Sequence, residues 1–169
     1  MSVGGAAVRL LGATALLTTL GLLRAAPVAA ADAPAPQFPD GAASFQANCA
    51  VCHGPAGAGL PSLAPPLLSY PAHYATSAAG RRQLAMTVLY GMFGEITVED
   101  KRYDFKMPDF ARLDDATLAA TLNFVVFDLD HAPASVKALS AADVAAERAQ
   151  ALDGAAVREH RKSVVPAGS

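Results

Sequence analysis

The sequence predicts an all-α domain with a short β-hairpin and a helical C-terminal extension, and three observations predict it. Apolar residues fall at helical spacings in separate stretches around 42–49, 84–89 and 118–126. Between the first two lies a run of glycines and prolines too dense for regular structure. Strand-like alternation around 96–105 is brief, enough for a hairpin.

The chain has 169 residues, with 13 Lys and Arg, 15 Asp and Glu and a formal net charge of −2. Length allows one domain and a tail, and the hydrophobic share of 53% owes much to alanine and the N-terminus. An apolar run from Leu10 to Leu23 follows Arg9 and leads to the small residues Val28, Ala29, Ala30 and Ala31. That pattern reads as a signal peptide over 1–31, cleaved after Ala30 or Ala31, because the run falls short of the ~20 apolar residues of a spanning helix. An uncleaved leader anchoring the protein to the inner membrane is the alternative. Removing the leader takes Arg9 and Arg24 and leaves a modestly acidic chain, which has no footprint for nucleic acid. The stretch 32–39, with Ala33-Pro34-Ala35-Pro36, reads as an extended linker.

The first helix is expected to start with Asp40 as its cap and to run through Ala42, Phe45 and Asn48. Phe45 and Cys49 lie four apart, which places an aromatic ring on the face of that cysteine. At its end stands Cys49-Ala50-Val51-Cys52-His53, the attachment pattern of a c-type haem. Two thiols at this spacing can each add to one haem vinyl group, and the adjacent imidazole then meets the iron. Other readings of the pair are a redox dithiol, a structural disulfide and half of a zinc site. A thioredoxin-like site wants a preceding strand, and a disulfide here would close too small a loop to stabilise much. Zinc needs a second ligand pair, and His73, His131 and His160 show no paired spacing.

From Gly54 to Pro66 the breakers require a loop, whose leucines 60, 63, 67 and 68 are expected to cover the cofactor. A helix is expected over Ser77 to Tyr90, stopped by Gly91, with Arg81 and Arg82 on a solvated face or meeting haem propionates, and Tyr70 and Tyr74 open between the same two roles. Ile96-Thr97-Val98 and Arg102-Tyr103-Asp104-Phe105 alternate around Glu99-Asp100-Lys101, which suggests the hairpin; the missing turn glycine suggests a looser turn. Met107 is the candidate for the sixth iron position, since its thioether precedes the stiffening Pro108. Met86, Met92, His73 and His131 compete for that role. Asp114 is expected to cap a last helix with Leu118, Leu122, Val125 and Val126 facing the core.

In these motifs, from about Asp40 to Phe127, the sequence resembles a class I cytochrome c of the small bacterial kind found alone or fused to dehydrogenases and oxidases. The resemblance rests on Cys49 to Gly54, on Ala64-Pro65-Pro66-Leu67, on Tyr90-Gly91, on Lys106 to Phe110 and on Leu113-Asp114-Asp115. It implies one covalent haem c held by Cys49 and Cys52, with His53 and Met107 on the iron and the Pro65 carbonyl accepting the His53 Nδ1 proton. It implies that the first and last helices cross, for which alanines 42, 43, 119 and 120 are suitable. The implied function is a periplasmic carrier of single electrons with no catalytic residues, working with a dehydrogenase, an oxidase or another cytochrome. The domain then spans 40–130. Residues 131–169 form an extension with a helix starting at Ser140 and continuing through Leu152, either loosely packed or serving as a docking arm.

Overall fold

The computed structural model describes residues 35–165, together with 1, 2 and 4. Apart from those three residues the expected leader lies outside the described residues, as do positions 32–34 of the expected linker.

Helix α1, Pro39–Asn48, starts with a proline whose fixed φ suits the first helical position. Asp40 is therefore not the cap: Phe38 holds that position and makes no side-chain cap bond. Asp40 sits in the first turn, where its charge still complements the helix dipole. The amides of Gln37 and Phe38 donate instead to the Asp128 carboxylate, at 2.6 and 3.0 Å, an anchor from the far end of the sequence. The chain leaves α1 at Cys49 and makes one further turn, α2, Ala50–His53, closed by Gly54 N donating to Ala50 O at 2.9 Å.

The breaker-rich stretch is a loop, as its composition requires, up to the single turn α3, Pro71–Ala75. That turn is helical because Pro71 preorganises it and because Ala72 N donates to the Asp130 carboxylate at 2.6 Å. Helix α4, Ala78–Tyr90, is capped by Ser77, which accepts from Gly80 N at 3.0 Å. It stops at Gly91.

Strands β1, Ile96–Val98, and β2, Lys101–Tyr103, pair antiparallel with Ile96 opposite Tyr103 and Val98 opposite Lys101. The expectation of a loose turn is corrected. Glu99 and Asp100 both take positive φ, 50° and 60°, giving the tight two-residue connection that glycine usually supplies. Neighbours over-determine it: Glu99 N donates to Tyr70 OH at 3.2 Å, and Ser69 Oγ donates to Glu99 Oε1 at 2.9 Å.

Helix α5, Asp115–Asn123, opens on Asp114, which accepts from Thr117 N at 2.7 Å. It widens into a π-helical segment, Phe124–Leu129, and Leu118, Leu122, Val125 and Val126 are all buried as expected. Helix α1 packs on α5. The contact is set by Gly41 rather than by the alanines: a Cβ there would lie 2.0 Å from the Ala120 carbonyl oxygen and 2.9 Å from Phe124 Cβ. On an exposed helix Gly→Ala stabilises by roughly 0.5–1 kcal/mol. Here we expect Gly41→Ala to lower stability by about 1–3 kcal/mol, because the backbones must separate. Denaturant unfolding of the variant checks the sign, and a more stable Gly41→Ala protein would contradict the close crossing.

The described part of the C-terminal segment is not loosely held: it forms two helices packed on the domain. Helix α6, Ala141–Arg148, starts with a reciprocal capping box between Ser140 and Asp143. It ends at Arg148 instead of continuing through Leu152, because the Tyr90 hydroxyl sits among the carbonyls of Glu147, Arg148 and Gln150. Asp153 then caps α7, Gly154–Val164, accepting from Ala156 N at 2.8 Å. Helix α6 packs on α4 and α5, α7 packs on α4, and Val144 and Val157 are wholly buried. The buried Asn123 amide is paired at both ends, donating to Leu139 O at 2.9 Å and accepting from Leu139 N at 2.8 Å. Arg81 is largely withdrawn from solvent and pairs with Asp143 at 3.0 Å, whereas Arg82 keeps a solvated face, its side chain 53% exposed, while pairing with Glu147 at 2.9 Å. Both bind α6 to α4.

Candidate functional site

An apolar cavity of about 240 Å³ lies between the loop after α2, helix α4, the hairpin and helix α5. Protein interiors hold few voids larger than a water molecule, so a space of this size is not a packing defect. Phe45 of α1, fully buried and tilted against Phe124 at 5.4 Å, forms part of its wall. Leu63 and Leu67 of the loop line it, whereas Leu60 and Leu68 do not and are exposed. The loop thus covers the cavity with two of its four leucines.

The cavity brings together Cys49, Cys52, His53, Pro65 and Met107. His53 is buried, and its Nδ1 lies 2.9 Å from the Pro65 carbonyl oxygen. A carbonyl only accepts, so Nδ1 carries the proton and donates, which leaves a lone pair on Nε2. Burial holds the imidazole below its ordinary pKa, with the Pro65 bond pulling in the opposite direction. The ring is therefore neutral near pH 7, the state in which imidazole binds a metal.

The two thiols are free and partly buried. Burial pushes Cys49 up to about 11, against the lowering pull of Arg112 and reinforced by Cys52. A redox dithiol wants a thiol with a depressed pKa, and burial moves Cys49 the other way. Among the described residues no cluster of three or more His, Cys, Asp or Glu could hold a metal ion, so the zinc reading finds no second ligand pair. A cavity with an apolar lining that offers water few partners, two thiols at its edge and an imidazole with an open Nε2 fit a large, flat, apolar cofactor that is covalently tethered. They fit haem c.

Met107 and Met92 are main-chain partners: Met107 N donates to Met92 O at 2.9 Å and Met92 N donates to Met107 O at 3.1 Å. Both line the cavity. Gly91, with φ 68°, permits this approach, since a Cβ there would lie 2.4 Å from Met107 O. Met86 is buried in α4 away from the cavity wall, and His73 and His131 are exposed and do not line it. Of the competitors, only Met92 shares the space with Met107.

Sequence reasoning missed other lining residues. Gln83 and Thr87 of α4 face the cavity, with Gln83 Nε2 donating to Thr87 Oγ1 at 2.9 Å. Gln83 Oε1 lies 2.8 Å from His160 Nδ1 of α7, an imidazole that burial and then Arg82 hold below its ordinary pKa. Arg161 lines the space too, beside Tyr70 and Tyr74, which the sequence had left open between two roles. The four-residue spacing of Gln83 and Thr87 placed them on one helix face, which was a usable signal; nothing local pointed to Arg161.

Comparison with known proteins agrees with this geometry. Residues 36–125 match the family described as cytochrome c oxidase, cbb3-type, subunit III. A cytochrome c-552 of Thermus thermophilus is 39% identical over 83 residues, which is 49% of this chain and 63% of that protein. A second cytochrome c-552, from a named strain of the same species, is also 39% identical over 83 residues, covering 49% of this chain and 56% of its own length. The matched region thus spans under two thirds of either relative. Since the family match covers more than half of the chain and the two attachment cysteines stand at the cavity edge, the protein belongs to this cytochrome c family, as a small c-type cytochrome with one covalently bound haem c.

Proposed function

We propose that the protein is an exported monohaem cytochrome that passes single electrons between redox proteins, with His53 and Met107 as the axial ligands of its iron. The observation that carries this reading is the neutral His53, oriented by the Pro65 carbonyl, in one cavity with Met107 and both thiols. When bound, haem supplies reversible one-electron chemistry at its iron. Cys49 and Cys52 hold it covalently. The Pro65 carbonyl fixes the His53 ring and raises the basicity of Nε2. Met107 would hold the iron together with His53, and its soft thioether would favour the reduced state and exclude a substrate. Phe45, Leu63, Leu67, Leu84 and Val125 keep water from the centre.

Export to the periplasm rests on the leader-like sequence over 1–31 and its small-residue cleavage site, with an uncleaved anchor as the alternative. Among the described residues no helix is long and apolar enough to cross a membrane. The partners are a dehydrogenase, an oxidase or another cytochrome. The oxidase-subunit description of the matched family favours a second reading, in which the chain is a haem subunit of a larger oxidoreductase. Copurification of a tagged chain from its native membrane separates a subunit from a free shuttle.

A redox titration of the purified protein tests the electron-carrier reading. The expected result is one reversible one-electron transition and no binding of carbon monoxide by the reduced protein. Carbon monoxide binding by the unmodified protein would point to a ligand-binding haem protein or a haem enzyme instead.

A further inference from the structure

Part of the cavity wall comes from beyond the family match. Helix α7 lies outside residues 36–125, and its Arg161 lines the cavity. Guanidinium has five N–H donors in a planar fork. Among the described residues Arg161 makes one hydrogen bond, a long one from Nη2 to Thr97 O at 3.3 Å. Tyr74 lines the same cavity and is 8% exposed, yet its hydroxyl proton finds no acceptor among the described residues, since the neighbouring Arg161 guanidinium can only donate to it. Burial raises the Tyr74 pKa while the charge and the hydrogen-bonding approach of Arg161 pull it back, and the hydroxyl keeps its proton.

An unpaired buried hydroxyl is costly, and a guanidinium turned toward an apolar space is more so. Two neighbouring donor groups, a hydroxyl without an acceptor and a guanidinium with one long bond to Thr97 O, fit an anionic acceptor brought in by the occupant of the cavity. Haem has two carboxylates, and a guanidinium beside a neutral hydroxyl suits a carboxylate in charge and in donor geometry. Three contacts hold α7, the helix that carries Arg161: the fully buried Val157, the His160–Gln83 bond at 2.8 Å, and Arg158 Nη1 donating to Glu95 O at 3.2 Å.

We propose that Arg161 and Tyr74 bind a haem carboxylate, making the C-terminal helix part of the cofactor site and its fixed positive charge a determinant of the potential. A carboxylate left uncompensated favours ferric iron, and Arg161 opposes that by placing a positive charge beside it. The inference rests on the haem reading above, and the test separates the two.

The unmodified protein, Arg161→Gln, Arg161→Lys and Tyr74→Phe are produced in a host that attaches haem. Covalent haem is assayed on denatured protein, and midpoint potentials are then measured. All four are expected to hold haem, because the thioethers do not depend on Arg161. The potential should fall in Arg161→Gln, fall less in Tyr74→Phe and be largely restored in Arg161→Lys, whereas a purely structural role would not follow charge. Absence of covalent haem from the unmodified protein would overturn the haem reading and this inference with it. Haem in all four with unchanged potentials in Arg161→Gln and Tyr74→Phe overturns this inference alone. Should Arg161→Gln release α7, seen as new proteolysis between α6 and α7, Tyr74→Phe decides: it leaves the contacts of α7 intact, and an unchanged potential overturns the inference.

Discussion

The protein in which Cys49 and Cys52 are both replaced by alanine is expected to lack covalent haem and to be largely unfolded. Without its occupant the cavity of about 240 Å³ is left without packing partners. At ~24 cal/mol per Å³ of residual cavity the penalty reaches up to about 6 kcal/mol, on the order of the whole 5–15 kcal/mol stability of a small domain. Water entering from the open side lowers that figure, but the walls offer it few partners. The buried residues point the same way, because they form two clusters: Leu84, Leu89, Leu118 and Val126 belong to one, Phe45, Phe124 and Val125 to the other. An occupant of the cavity touches Leu84 from one cluster and Phe45 and Val125 from the other, and so joins them. Thermal unfolding followed by circular dichroism checks the expectation. A cooperative, native-like transition in the haem-free double variant would contradict it.

Met107→Ala should keep the haem attached through Cys49 and Cys52 while opening the sixth position. The reduced protein should then bind carbon monoxide, and the potential should fall by on the order of a hundred millivolts, against the ~0.8 V that axial ligation spans across haem proteins. Fold loss does not confuse the result, since the pairing of Met107 with Met92 is main-chain and survives the truncation. Met92→Ala is the demanding control. Its side chain lines the same cavity, so it alone among the competitors stands where it could replace Met107. The account expects Met92→Ala to keep the unmodified spectrum and to exclude carbon monoxide, and Met86→Ala to do the same. An unmodified spectrum in Met107→Ala would move the axial ligand to another residue, with Met92 the first to test.

What was legible in the sequence was local. The Cys49 to His53 pattern, the Ser77–Gly91 helix and the Asp114 cap each depend on residues within a few positions, and each stands where it was expected. The rest was decided by partners distant in the chain. Asp40 looked like a cap because its type favours that role, but Pro39 took the first helical position and Asp128 took over the preceding amides. The turn at Glu99 and Asp100 is tight because Tyr70 and Ser69 reach it from about thirty residues away. Gly41 reads as an ordinary helix-weakening glycine until the Ala120 carbonyl is seen against it. Arg81 and Arg82 had no visible partner in the sequence; Asp143 and Glu147 lie some sixty residues on. At the site, Arg161 had no motif to mark it, and Tyr74 stood open between two roles. Their placement follows from how α7 and α3 pack on α4.

The account stands on one haem held through two thioethers, and the intact mass of the protein under denaturing conditions tests this most directly. The account predicts the polypeptide plus one haem, a mass that persists after reduction of any disulfides and shifts to the bare polypeptide when Cys49 and Cys52 are both replaced. A bare polypeptide from a host that attaches haem to other c-type cytochromes, or one lighter by the two hydrogens of a Cys49–Cys52 disulfide, would contradict it.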